Sequence, residues 1–157
     1  MSYFGLSHPR NTPTIMALVR HLSPSRVVDI GCGGGNYGKF LRDAFPTLHI
    51  TGIDAYADNR NALWECYDEV IVADARTCDL PLADLYLMVD VIEHMSREDG
   101  FALISRLTTP VIICTPRHWP QAADENPYTE HISEWHEDDF GFTIDKSDAE
   151  FVIGVRR

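Results

Sequence analysis

The sequence predicts an α/β fold with a doubly wound, Rossmann-like sheet. Strand and helix patterns alternate five times along the chain, and the predicted strands are continuously apolar rather than alternating between polar and apolar residues. Continuous apolar strands are typical of parallel strands that helices cover on both faces. Two further strand-like segments near the C-terminus are separated only by 145-DKSD-148, which is too short for a helical crossover. We therefore expect these last two segments to form an antiparallel hairpin.

Apolar residues at helical spacing, together with residues that cap helix ends, predict the helices. Thr12 followed by Pro13 is typical of an N-cap and a first helical position, and Ser96 can cap a later helix, with Asp99 three residues on. The predicted helices are 12–22, 37–45, 59–66, 96–108 and 133–140. We expect a long loop over residues 117–133.

Acidic residues follow or end four of the predicted strands. The predicted strands are 26–30, 48–53, 69–73, 84–90, 111–114, 142–144 and 150–156, and the acids are Asp29, Asp54, Asp74 and Asp90. In a doubly wound sheet the carboxyl ends of parallel strands share one rim, and ligands bind there, where the strand order reverses. We predict a ligand site at this rim. Asp84 begins its strand at the opposite rim, and we expect a structural role for it.

The composition argues against several classes of protein. The formal net charge of −11 disfavours a nonspecific grip on nucleic acid or an anionic membrane. The sequence has no apolar run of 18–20 residues and no secretory signal pattern, so we expect a cytoplasmic protein without a membrane span. The four cysteines have no metal-binding or disulfide spacing, and we expect free thiols in a reducing compartment.

The loop 31-GCGGG-35 follows the first predicted strand and holds four glycines in five positions. Such a loop lets the backbone approach a ligand closely, and the next helix directs free N–H groups to the same place. A dinucleotide site would need G-x-G-x-x-G directly after the strand, but Asn36 stands at the third glycine position. A second frame, from Gly33 to Gly38, starts two residues too far from the strand. The surrounding acids would also repel a pyrophosphate.

The segment D29-x-G31-x-G33-x-G35 resembles the first motif of the class I S-adenosylmethionine-dependent methyltransferases. The similarity continues, in order, in 52-GIDA-55, 72-VADA-75, 84-DLYLMVDVIEHM-95 and 111-VIICTP-116, and it covers roughly residues 25–116. The resemblance implies a seven-stranded sheet, mostly parallel with an antiparallel last strand. It also implies S-adenosyl-L-methionine as the cofactor and methyl transfer as the reaction.

The resemblance assigns a role to each acid of the rim. Asp54 would accept hydrogen bonds from both ribose hydroxyls. Ala55 or Tyr56 would pack on the adenine face. Asp74 would accept from the adenine amino group, and the amide of Ala75 would face a ring nitrogen.

The remaining cofactor residues would surround the methionine part. Asp29 would hold the glycine loop and face the ammonium group, and Asp90 would meet that ammonium from the other side. The loop residues predicted to lie against the methionine part are Gly31, Cys32, Gly33 and Gly35. Acids around a cationic sulfonium and ammonium are electrostatically favourable.

His94 and His131 are the candidate catalytic residues. They lie in 90-DVIEHM-95 and 128-YTEHISEWHEDDF-140, two segments that we expect at the same rim, where they could align an acceptor and remove a proton. With Glu93 they also offer one carboxylate and two imidazoles, which are ligands for a divalent metal.

This constellation resembles the small-RNA 3′-end 2′-O-methyltransferases, which hold a metal with a similar Glu-His pair and a later histidine ahead of a Glu-Trp pair. The chain departs from that pattern at Asp90, where the family has a further glutamate, and at Glu130, where it has a second histidine. The same V-I-E-H pattern occurs in metal-free small-molecule methyltransferases. The sequence therefore leaves open whether a metal binds.

We predict a small methyltransferase domain that transfers a methyl group to a hydroxyl or amine of a small molecule. Its parts would be an N-terminal helix region (1–24), a cofactor-binding core (25–116) and an acceptor-side loop, helix and hairpin (117–157). Residues 1–14 and 117–133 would set acceptor specificity, and a homodimer could complete the site.

Two alternatives stay open. One is a metal-dependent 2′-O-methyltransferase acting on RNA or a nucleotide, which the ten acids and one lysine of residues 121–150 disfavour. The other is a partner subunit that binds the cofactor without catalysis.

Overall fold

A seven-stranded sheet forms the centre of the computed structural model, which describes residues 8–123 and 125–157. The strands are β1 (Arg26–Ile30), β2 (His49–Asp54), β3 (Glu69–Val72), β4 (Leu85–Val89), β5 (Val111–Pro116), β6 (Ile144–Asp145) and β7 (Phe151–Arg156). The helices are α1 (Thr12–Leu22), α2 (Asn36–Ala44) and α3 (Arg97–Ser105).

The strand order is β3-β2-β1-β4-β5-β7-β6. Strands β1 to β5 pair in parallel, whereas β7 pairs antiparallel with both β5 and β6. The predicted fold class is confirmed, including the terminal hairpin. The chain moves outward from β1 to β3 and then returns to the other side of β1 with β4, so the strand order reverses between β1 and β4. That is where a doubly wound sheet binds its ligands.

Helices and loops cover both faces of the sheet. One face packs against apolar residues of α1 and α2, including Ile15 and Leu41, and the other against α3 and the segment around Trp135 and Phe140. Because both faces are covered, every residue of β4 is buried. This burial explains why the inner strands are continuously apolar in sequence.

Two predicted short helices are wrong. The segment predicted as a helix over 59–66 forms two 3₁₀ turns, Ala57–Asn59 and Ala62–Cys66. Between them the Asn61 side chain accepts from the amide of Leu63 and donates to the carbonyl of Gly34, and such local bonds compete with a helix. In the segment predicted as a helix over 133–140, only Glu137–Asp139 forms a 3₁₀ turn. Trp135 is buried in the core, and the backbone at His136, directly before that turn, is extended.

Other boundaries differ by one to three residues. Helix α1 starts at Thr12, with Asn11 rather than Thr12 at the N-cap position. Ser96 does cap α3, because its hydroxyl accepts from the amide of Asp99, but the helix ends at Ser105 instead of Thr108.

Two polar contacts outside the ligand rim hold elements in place. The Asp84 carboxylate accepts from the amides of Ser25 and Arg26, which confirms its structural role at the opposite rim. Arg10 forms ion pairs with Asp148 and Glu150 and so ties the start of α1 to the terminal hairpin. All four cysteines are free thiols, as predicted. None of the described helices has the length and hydropathy of a membrane span.

Gly100→Ala tests the packing of Trp135 on α3. A Cβ atom at position 100 would lie 2.6 Å from the Trp135 ring, which is 1% exposed and has no room to move. We expect the overpacking to lower the free energy of unfolding by roughly 1–3 kcal/mol, despite the better helix propensity of alanine. Urea unfolding measures the change. Glu98→Ala, at an exposed position of the same helix, is the control and should stay within about 0.5 kcal/mol of the wild type; equal stability of both variants would contradict the packing.

Candidate active site

A cavity of about 920 Å³ opens at the carboxyl ends of the central strands. Its lining includes residues that follow β1, β2, β3 and β4, together with His8 and Thr12 from the start of the described chain. The volume lies at the upper end of the range of about 300–1,000 Å³ found for ligand sites. Its position is the rim that the sequence predicts. Residues 1–7, part of the segment predicted to set acceptor specificity, lie outside the described residues.

Hydrogen bonds to β2 hold the glycine loop in place. The amides of Gly31 and Cys32 both donate to the carbonyl of Ile53, at 2.7 and 3.0 Å. Gly31 has a φ of +69°, and a Cβ there would lie 2.5 Å from the side chain of Val91, which follows β4. Only glycine therefore fits at this position of the loop. Gly31, Cys32 and Gly33 line the cavity, whereas Gly35 is the N-cap of α2.

Asp54 joins the glycine loop to the end of β2. One oxygen accepts from the Gly33 amide at 2.7 Å, and the other accepts from the Tyr56 amide and the Asn59 side chain at 2.9 and 3.0 Å. The residue is buried yet lines the cavity. A carboxylate offers about four acceptor positions. The three bonds to the protein leave about one for a ligand hydroxyl, so the predicted contact with both ribose hydroxyls would need one of these bonds to be replaced.

Asp74 and Ala75 lie in the cavity lining with Ala55, as predicted for an adenine subsite, and among the described residues Tyr56 is outside this lining. The Asp74 carboxylate is engaged by the Arg76 guanidinium, with a closest distance of 2.6 Å. Hydrogen bonds from Arg76 hold the pKa of Asp74 below its usual value. The predicted contact of Asp74 with an adenine amino group stays a prediction, and it would compete with Arg76.

Asp29 and Asp90 flank the cavity on neighbouring strands, β1 and β4. Asp29 is 2% exposed, and one of its oxygens accepts from the Tyr67 hydroxyl at 2.6 Å. Asp90 has a φ of +53°, in the left-handed region, and its carboxylate lies 3.3 Å from the amide of His8. Cys32 is buried beside Asp29, and burial raises the pKa of its thiol, which argues against a nucleophilic role.

The candidate catalytic histidines come together with Glu93. One possible ligand atom from each of Glu93, His94 and His131 lies within 4.8 Å of the others, and the two imidazole rings are 4.7 Å apart. All three residues line the same cavity as the glycine loop. The sequence prediction that two distant segments meet at this rim is therefore correct.

Backbone carbonyls orient both imidazoles. Nδ1 of His94 donates to the carbonyl of Glu130 at 3.0 Å, and Nδ1 of His131 donates to the carbonyl of Trp119. A carbonyl only accepts, so each neutral ring carries its proton on Nδ1 and a lone pair on Nε2. Burial lowers the pKa of both rings, which keeps them neutral near pH 7.

Glu93 lies beside the two histidines and is buried. It is 2% exposed, and its Oε2 accepts from the Thr115 hydroxyl at 2.8 Å. Its Oε1 lies 4.0 Å from Nε2 of His131 and has no hydrogen-bond partner among the described residues. Burial raises the pKa of Glu93, with Asp90 adding to the effect.

Sequence reasoning missed several residues of the site. Thr115 could have been found from the sequence, because it is a polar residue in the otherwise apolar strand β5. Tyr67 and Trp64 carry none: both look like ordinary core aromatics, yet Tyr67 bonds to Asp29, and the indole of Trp64 donates to the carbonyl of Gly33 at 2.8 Å. The cavity lining also contains Asn59, Arg76 and Trp119.

Comparison with known proteins decides the family. Residues 27–110, more than half of the chain, match the family described as a methyltransferase domain. The chain belongs to this family. The match covers the glycine loop, Asp54, Asp74 and the Glu93-His94 pair, and it confirms S-adenosylmethionine, predicted from those motifs, as the cofactor.

The curated relatives share part of this chain. Trans-aconitate 2-methyltransferase of Klebsiella pneumoniae (strain 342) is 39% identical over 75 residues, which are 45% of this chain and 29% of that protein. The enzyme of the same name from Acidovorax sp. (strain JS42) is 37% identical over 51 residues, 32% of this chain and 20% of that protein. The chain spans less than a third of the length of these relatives.

Solved structures share the fold over most of the chain. The PH0226 protein of Pyrococcus horikoshii OT3 has a TM-score of 0.69 at 15% identity, covering 93% of this chain and 88% of that one. The methyltransferase domain of bacterial CtHen1-C gives 0.63 at 19% identity, with coverages of 91% and 94%. The N-terminal domain of EvdMO1 with SAH bound gives 0.66 at 15% identity, with coverages of 96% and 82%. At these identities the likeness shows the fold alone.

Asp54→Ala tests the cofactor half of the cavity. We expect the affinity for S-adenosylhomocysteine (SAH) to fall by about 1.5–3 kcal/mol, the usual worth of hydrogen bonds to a charged group. Calorimetric titration measures the affinity, and a thermal melt checks that the variant is folded. Asp58→Ala, at an exposed position four residues on, is the control. Unchanged affinity in folded Asp54→Ala would remove Asp54 from the site.

Proposed function

We propose that the protein is an S-adenosylmethionine-dependent methyltransferase that acts on a hydroxyl or amine of a small molecule. The observation that carries this proposal is the position of His94 and His131. Both line the cavity that also contains the glycine loop and Asp54, so a bound acceptor could reach the cofactor methyl and a proton acceptor together.

The histidines suit removal of the acceptor proton. When bound, S-adenosylmethionine would supply the methyl group and become SAH, and a hydroxyl or amine that receives the methyl group would have to lose one proton. A neutral imidazole with its lone pair on Nε2 takes that proton. Because burial lowers the pKa of His131, its ring stays neutral at the pH where an ordinary histidine would begin to charge.

The charges of the cavity favour an uncharged or cationic acceptor. Among the described lining residues the only arginine or lysine is Arg76, and its guanidinium is paired with Asp74. Glu93 lies beside the two histidines, and Asp29, Asp54 and Asp90 line the same cavity. A tricarboxylate such as trans-aconitate, named for the curated relatives, would be repelled by these carboxylates, which is costly in a buried site.

A metal-dependent methyltransferase is the second candidate, favoured by the arrangement of Glu93, His94 and His131. The three residues supply a carboxylate and two oriented imidazoles, and Oε1 of Glu93 is buried without a hydrogen-bond partner in the described part of the chain. This donor set fits a divalent cation. Such an ion would polarise the acceptor hydroxyl. This supports the alternative of a metal-dependent 2′-O-methyltransferase acting on RNA or a nucleotide. The net charge of −11 disfavours RNA relative to a nucleotide as its substrate.

The proposed reaction is tested by measuring SAH release with a panel of uncharged and cationic alcohols, phenols and amines. Trans-aconitate and a short RNA with a free 3′ end are the contrasting acceptors. We expect turnover on members of the panel and none on trans-aconitate. SAH binding without turnover on any acceptor would instead favour the non-catalytic subunit, and turnover on RNA would favour the second candidate.

His131→Ala should lower turnover on the best acceptor by about 10²–10⁴-fold, the usual contribution of a general base. The affinity for SAH should change less than about twofold, because His131 lies at the acceptor end of the cavity. His21→Ala, on the exposed last turn of α1, is the control and should keep full turnover. Collapse of SAH binding in His131→Ala would contradict the division of the cavity into cofactor and acceptor halves.

Metal binding separates the two candidates. Titration with Mn²⁺, followed by calorimetry and by the electron paramagnetic resonance of the free ion, should detect one site if a metal binds. That site should be lost in Glu93→Gln and kept in Glu98→Gln, whose side chain is exposed on α3. Turnover that survives a chelator, with no Mn²⁺ site, would leave the histidines as proton acceptors only.

A further inference from the structure

The Tyr67 hydroxyl links the glycine-loop helix to Asp29. Tyr67 follows the second 3₁₀ turn, precedes β3 and is 7% exposed. Its hydroxyl donates to Oδ2 of Asp29 at 2.6 Å and accepts from the amide of Gly38, in the first turn of α2, at 2.9 Å. One side chain from the β2–β3 connection therefore contacts both β1 and α2 at the point where they flank the glycine loop.

Two glycines make room for the Tyr67 ring. A Cβ on Gly38 would lie 2.1 Å from the ring, and a Cβ on Gly52 would lie 3.1 Å from it. The ring therefore occupies the space that side chains at positions 38 and 52 would fill. Burial raises the pKa of Tyr67 well above its usual range, so the hydroxyl keeps its proton and remains a donor.

The groups around Asp29 supply no positive charge. Those that face it are Tyr67, Asp54, Cys32 and Tyr37, and no ion pair of Asp29 occurs within residues 8–123 and 125–157. Asp29 lines the cavity while its Oδ2 is occupied by Tyr67. A buried carboxylate without a cationic neighbour is a favourable partner for a cation that enters the cavity.

We propose that Tyr67 is a positioning residue for cofactor binding, which orients the Asp29 carboxylate and keeps it ready to receive the cofactor ammonium. The proposal rests on the assignment of Asp29 to the ammonium group. It adds a residue that none of the recognised motifs contains, and it predicts that cofactor affinity depends on pH through Asp29.

The sign of this dependence follows from the protonation of Asp29. Burial raises the pKa of Asp29 to about 7, while the Tyr67 hydrogen bond acts to lower it. The ammonium prefers the ionised carboxylate, so affinity should be full above about pH 7 and should fall as the pH drops below it. Without the Tyr67 hydroxyl the pKa of free Asp29 rises further, and the loss of affinity begins at a higher pH.

Tyr67→Phe, titrated calorimetrically with SAH from pH 5.5 to 8.5, tests the proposal. We expect affinity at pH 8 to fall on the order of tenfold, and the midpoint of the pH profile to move up by about one unit. The second probe is 5′-methylthioadenosine, which lacks the ammonium and carboxylate of SAH. Its affinity should change less than about twofold in the variant, because it has no ammonium group to interact with the Asp29 carboxylate.

Tyr86→Phe is the matched control, because the Tyr86 hydroxyl donates to the carbonyl of Pro81, and among the described residues Tyr86 is outside the cavity lining. Asp29→Asn provides a second variant in case Tyr67→Phe fails to fold; it should bind SAH weakly and without the pH dependence. Equal weakening of both probes in Tyr67→Phe, with an unmoved midpoint, would overturn the proposal and leave Tyr67 a packing residue. If the SAH affinity of the wild type does not change with pH, protonation of Asp29 does not control binding, and this result would also overturn the proposal. Neither result concerns turnover, so the proposal can fail while the proposed methyl transfer stands.

Discussion

The hydrogen bond from the Gly33 amide to the Asp54 carboxylate is the interaction on which the site depends. It joins the loop after β1 to the end of β2, alongside the bonds from Gly31 and Cys32 to the carbonyl of Ile53. Gly31 adopts a positive φ beside Val91, which follows β4, and leaves no room there for a Cβ. The same carboxylate then fixes Tyr56 and Asn59, so one acid organises both the loop and the first turn after β2.

Electrostatics divides the cavity into two halves. Around the glycine loop, Asp29, Asp54 and Asp90 form an acidic lining that suits a ligand with a sulfonium and an ammonium. At the other end, burial keeps the two imidazoles neutral, and Glu93 lies behind them with a raised pKa. The first half attracts a cation, and the second can accept a proton or hold a metal.

Particular residues show how far the sequence could be followed. The strand-end acids and the glycine loop were placed correctly, because a parallel sheet brings the carboxyl ends of its strands to one rim. The meeting of His94 with His131 was also predicted, since both follow strands that end there. The helices predicted over 59–66 and 133–140 were wrong, because helical spacing of apolar residues does not reveal that Asn61 bonds to Gly34 or that Trp135 is buried against Gly100.

By itself the sequence determined the fold class, the family and the rim at which we predict the cofactor, since these depend on local patterns of apolar residues, glycines and acids. Only the tertiary structure decided which groups are paired. Arg76 holds Asp74, Tyr67 holds Asp29, and carbonyls from the 117–133 loop orient His94 and His131. These contacts join residues that are up to 38 positions apart, and no repeat or spacing in the sequence encodes them. They arise because packing excludes water, so most polar groups that are taken out of solvent bond to another group of the protein.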